Sequence, residues 1–227
     1  MDWETLADAE KSELAGFEEL VTEMMEFVAK CIGEPRYYQE IFVQAKKLLM
    51  VNVGFTFLKT TAMEREKMVN DSDDFVHLAL DTCDKQRSGI IKTQAAKILE
   101  ALCDHIEGST SFLAVFACKA LDWALQGKPN LDTAEGEYIA VLQQVKDSVF
   151  LTNYSPEEIA DCCMMALTMV SYIIPKRPDL VRIFDETMYR NFDKMTAKET
   201  ILLRSRLCLL LGYYADMVFM KAPAASS

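Results

Sequence analysis

Cys103-Asp104-His105 sets a thiol, a carboxylate and an imidazole side by side, residue types that bind metals or move protons. A thiolate and an imidazole with a carboxylate between them can hold zinc or form a nucleophile and its base, provided the three converge. Here they occupy a single turn of a helical pattern, where neighbouring side chains diverge, so the spacing fits a half-buried thiol and a surface histidine better. Cys162-Cys163 has the types for a redox pair, but consecutive positions inside a helix do not suit a bond between neighbours, and the two thiols read as packing. No Gly-rich phosphate loop, GxGxxG, HExxH, GxSxG or Cys-x-x-Cys is present, and the two histidines, His77 and His105, are too few for a multi-histidine metal site. The expectation is a protein that is not an enzyme, with no catalytic residues, no cofactor and no metal.

The remaining polar groupings suit recognition rather than reaction. Acids cluster at Glu18-Glu19, along Asp71 to Asp74 and at Glu157-Glu158. Such clusters either meet a basic ligand or cap helices and face water. Arg204 and Arg206 stand in an otherwise apolar stretch. There an arginine either bonds loop carbonyls and acids of a neighbouring helix or reaches a partner. Asp71, Asp73, Asp74, Arg204 and Arg206 are therefore the candidate protein-binding residues. Thirteen methionines, including Met24-Met25 and Met164-Met165, fit core packing, with an adaptable groove as the alternative.

The elements that carry these residues follow from apolar spacing. With 51% hydrophobic residues, 8 Gly and 6 Pro in 227 residues, the chain can bury a core but lacks the punctuation of a many-stranded sheet. Leu14, Phe17, Val21, Met24, Met25 and Val28 mark a helix ending at Gly33, and Tyr37 to Thr60 a second. Asn70 to Asp74 caps a helix carrying Phe75, Val76, Leu78 and Leu80. Two further helices follow, closing at Gly108 and Gly127, and then one with Tyr138, Val141, Leu142, Val145 and Val149. Ser155-Pro156-Glu157-Glu158 is a capping box with proline at the first helical position. Its helix ends at Pro175, another runs from Leu180 to Phe192, and Thr196-Ala197-Lys198-Glu199 reads as a second capping box opening the last helix, to Met220. Helix starts recur so that pairs lie about 40 to 45 residues apart, the spacing of HEAT and armadillo units. The expected fold is all-α, an α-α superhelix (HEAT/armadillo-like solenoid of antiparallel helix pairs) over residues 1–220, with a loose tail at 221–227.

No run reaches the roughly 18 apolar residues of a membrane span, and the acidic N-terminus is no secretory signal. The seven cysteines, an odd number, lack the spacing of a disulfide framework and read as thiols in a reducing compartment. A formal net charge of −11 argues against direct nucleic-acid binding and for a basic protein partner.

Three segments extend this reading to a family. NDSDDFVHLAL, Asn70 to Leu80, resembles the D-P-E-E-F stretch that opens a helix midway along many importin-β (karyopherin-β) receptors, with Ser72 where proline is usual. KTQAAKILEALCDHIEG, Lys92 to Gly108, looks like their next helix. LLRSRLCLLLGYYAD, Leu202 to Asp216, is similar to their L-R-A-R-x-C-W-V-L helix. The resemblance spans Glu64 to Val218 and is closest to the large importin and exportin-like branch. It implies a central HEAT-repeat piece of a longer receptor that carries protein cargo through nuclear pores, contacts Phe-Gly nucleoporins and responds to the GTPase Ran, in cytoplasm and nucleus. The alternatives are a HEAT-repeat scaffold subunit of another multiprotein complex and, third, a compact helical enzyme domain.

Overall fold

The structure is a computed structural model that describes residues 8–34, 39–60, 90–133, 137–197 and 200–219. Among the described residues it is entirely helical, with no strand. The helix predicted to open near Ser72 and the tail 221–227 lie outside them, as does Cys83.

Helix α1 (Asp8–Gly33) precedes α2 (Gln39–Leu48), which runs on as a π-helical segment, Leu49–Phe55. Within that segment Gly54 faces Leu99, and a Cβ at Gly54 would lie 2.7 Å from Leu99 Cγ and 2.3 Å from its Cδ2. The missing side chain is what lets the two backbones approach, because both residues are buried in the core. Gly54→Ala should therefore destabilise the chain by about 1–3 kcal/mol through overpacking. A urea midpoint equal to that of the native protein would show that Leu99 can move aside.

After the undescribed stretch come α3 (Ile90–His105) and α4 (Ser109–Leu125), joined at Gly108 in the left-handed conformation with φ 76°. Nearly every residue of α4 from Leu113 to Ala124 is buried, the pattern of a helix with neighbours all round. The single helix expected from Tyr138 to Val149 is instead two pieces, α5 (Glu137–Gln143) and α6 (Val149–Asn153), separated by turns. Ser148 makes the break: its hydroxyl accepts from Leu151 N, which starts a new helix and leaves Val149 exposed.

Helix α7 (Pro156–Met169) begins where the sequence says it should. Ser155 N donates to Glu158 Oε2 at 2.8 Å, and Glu158 N donates to Ser155 Oγ at 3.3 Å, a complete capping box with Pro156 at the first position. Its residues Ile159 to Leu167 are all buried, so α7 is the central rod of the fold. That explains the doublets Cys162-Cys163 and Met164-Met165: with every face covered, adjacent positions can both be apolar. A 3-10 turn (Ile174–Lys176) leads to α8 (Pro178–Thr196) and α9 (Ile201–Phe219).

Of the second capping box, Thr196-Ala197-Lys198-Glu199, Lys198 and Glu199 lie outside the described residues. Thr196 is the last residue of α8, and its hydroxyl donates back to the Phe192 carbonyl at 2.9 Å. Thr200 instead stands before the first turn of α9, its carbonyl accepting from Arg204 N at 3.0 Å. A threonine hydroxyl near the end of a helix readily bonds a carbonyl of the preceding turn, as Thr196 does here.

Helix α1 packs along α3; α4 and α9 both pack on α7; α8 packs on α4 and α9; and the π-helical end of α2 meets α3, α6 and α7. One aromatic cluster ties three of these together. Phe55 lies edge-on to Phe116 at 5.0 Å and 5.3 Å from Phe150, with Phe112 and Tyr154 at its margins. Trp123, at the end of α4, donates to the Pro129 carbonyl at 2.7 Å, and the Lys128 ammonium sits 5.3 Å from its ring.

Candidate protein-binding surface

Arg206 emerges from the buried face of α9 and is 2% exposed. Its Nε donates to Asp161 Oδ1 on α7 at 3.0 Å, while the Thr60 hydroxyl, beyond the end of α2, donates to Asp161 Oδ2 at 2.5 Å. A buried arginine and a buried aspartate are tolerable only in each other's company, so this pair fixes α9 against α7 and draws in the chain end after α2. Of the two readings of Arg206, the structure places it in the inward one, and its guanidinium is not available to a partner. Arg204, two residues away, is half-buried. Asp71, Asp73 and Asp74 lie outside the described residues.

A second polar seam joins α4 to α8. Asp122 accepts from Arg190 Nη1 at 2.6 Å and from Asn191 Nδ2 at 2.8 Å, and Lys194 donates to the Leu125 carbonyl at the end of α4 at 2.6 Å. These links fix helices and leave no reactive group poised.

The acid pair Glu157-Glu158 is committed to its own helix start. Glu158 also pairs with Lys59 at 2.7 Å, and the Lys59 ammonium lies 5.0 Å from the Tyr154 ring. Burial pushes the Glu158 carboxyl up, but the bonds from Lys59 and Ser155 outweigh it and bring its pKa down to about 2. A folded-state value below the ordinary 4.5 means that the stabilisation is present above about pH 4.5 and disappears as pH falls toward 2. Glu158→Gln keeps an acceptor for the Ser155 amide but loses the charge, so it should cost about 0.5–1 kcal/mol at pH 7. The difference from native in urea midpoint should shrink steadily below pH 4. A difference independent of pH would assign the effect to packing.

Cys162 and Cys163 are fully buried, and burial raises both far above the ordinary thiol range. Cys103 and Asp104 line a pocket of about 220 Å³ with Leu99, Glu100, Met169 and Tyr172. Burial moves the Cys103 thiol up to about 11, which keeps it protonated, and the exposed His105 stands beside Gly33 of α1, its Nε2 3.6 Å from where a Cβ on that glycine would lie. No family model, curated protein or solved structure matches the chain.

Several large apolar side chains face outward among the described residues. On α1, Phe17, Leu20, Met24 and Phe27 are exposed, and on α2 Ile41, Val43 and Leu48; α8 carries Tyr189 and Phe192. Exposed large side chains in a helical row make these faces the candidate contact surfaces of the described residues. The helical spacing read from the sequence picks out Phe17 and Met24 but not Leu20 and Phe27, and it assigns Phe17 and Met24 to the core face together with Val21 and Val28. The available signal was the width of the apolar arc, about 160° at ~100° per residue, too wide for one neighbouring helix.

Proposed function

We propose that the chain is a protein-binding segment of an importin-β-like nucleocytoplasmic transport receptor, built as a HEAT-type solenoid and carrying basic protein cargo under the control of Ran. The observation that carries the reading is the way the helices contact one another. Helices α1, α3, α4 and α8 form one succession of neighbours, and α2 with its π-helical end, α7 and α9 a second. Contacts between the successions join α3 to the end of α2, α4 to α7, and α8 to α9. Two successions of helices joined by cross-contacts support a stack of helical repeats. The resemblance of Leu202 to Asp216 to the receptors' arginine-bearing helix adds to this. In α9 Arg206 reaches back to Asp161 in the preceding helix of the same row, a physical reason for such a helix to carry arginine. The net charge of −11 supports a basic cargo.

The test is capture from nuclear and cytosolic extract on the immobilised chain, with GTP-loaded or GDP-loaded Ran added. Recovery of Phe-Gly nucleoporins, Ran, or basic proteins released by one nucleotide form is the expected result. A fixed set of partners indifferent to Ran would assign the chain to a scaffold instead. Small-angle scattering tests the architecture separately: a compact domain of this length has a radius of gyration of about 17 Å, and a solenoid exceeds it.

A further inference from the structure

Helix α1 has two apolar faces and packs along one principal neighbour. Val21, Met25, Val28 and Ile32 turn toward the core against α3, whereas Phe17, Leu20, Met24 and Phe27 stand 54–68% exposed. Spaced by three, four and three residues, these four form a straight ridge about 15 Å long. The edge of the ridge away from α3 is acidic: Glu19, Glu23 and Glu26 follow one another along it, and its one basic residue, Lys30, is held by Glu26 at 3.3 Å. An apolar ridge of this length buries well only under a helix or strand carrying apolar residues at matching intervals. The carboxylates select the occupant further. A second copy docking ridge to ridge in the antiparallel sense would set the acidic edges of two α1 helices against each other. A helix with Lys or Arg beside its apolar stripe meets both features at once.

We propose that the Phe17–Phe27 ridge of α1 is a docking site for a basic amphipathic helix of a partner protein. Phe17, Leu20, Met24 and Phe27 supply the buried contact, and Glu19 and Glu23 supply orientation and discrimination against acidic helices. The proposal stands on α1 alone, so it holds or fails irrespective of Ran and of the transport reading.

Fluorescence anisotropy on the full chain tests it with two labelled synthetic helical peptides. They share a leucine stripe at three- and four-residue spacing and differ in whether lysine or glutamate flanks it. The lysine peptide should bind saturably and lose affinity as salt rises, and the glutamate peptide should bind about tenfold more weakly or worse. Met24→Ser with Phe27→Ser, both exposed and so compatible with an unchanged fold, should weaken the lysine peptide about tenfold or more. Glu19→Lys with Glu23→Lys should reverse the preference between the peptides. Equal binding of both peptides, or lysine-peptide binding untouched by either double variant, overturns the proposal. So does a dimer in sedimentation that Met24→Ser with Phe27→Ser abolishes and the lysine peptide fails to displace, since a second copy would then be the occupant.

Discussion

Replacing Arg206 with methionine is expected to destabilise the chain by about 3–5 kcal/mol, because it strands a carboxylate in the core. Asp161 is fully buried at the centre of α7, and without the guanidinium it keeps the Thr60 hydroxyl as its remaining described donor from the cluster. The reverse single change, Asp161→Leu, should cost a similar amount by leaving Arg206 charged and enclosed. The double variant Arg206→Met with Asp161→Leu is the informative one: with both charges gone and comparable volume restored, its stability should return to within about 1 kcal/mol of native or exceed it. Urea unfolding followed by far-UV circular dichroism gives all four corners of the cycle. Additive losses in the double variant would mean that the two residues do not act through each other.

The other large effect belongs to the aromatic cluster. Phe116 of α4 is fully buried and touches Phe55 at 5.0 Å, Phe112 at 5.8 Å and Phe150 at 6.2 Å. Phe116→Ala removes the ring on which the π-helical end of α2 and the short α6 both rest, at a cost of about 3–5 kcal/mol in lost burial and residual cavity. Phe116→Leu should cost about 1–1.5 kcal/mol. The loss should also be uneven. Helix α6 has one turn of its own and depends on this contact, so amide exchange at residues 150–153 should accelerate more than at 160–167 in α7. Equal acceleration in both would make the cluster a general support rather than a local one.

How far the sequence foretold these sites depended on distance along the chain. The Ser155–Glu158 box was legible because its partners are three residues apart and their chemistry is complete in that span. An arginine at position 206 in an apolar helix announced that it needs an acid, but not that the acid is Asp161, 45 residues away. Local rules misled on where helices end: Thr196, read as the opening of the last helix, is the final residue of α8, and Val145 and Val149 continue an apolar rhythm across the turn that Ser148 creates. The outward ridge of α1 was hidden for a different reason. Periodicity identifies apolar faces but does not say how many neighbours the fold supplies to cover them.

The setting of Trp123 makes the chain its own optical probe. It is one of two tryptophans, and its indole N–H is tied to Pro129 while a lysine hangs over the ring. Its emission wavelength and quenching therefore register the closure of the Gln126–Asn130 connection, and cutting that bond by local opening would shift the spectrum before the helices themselves come apart.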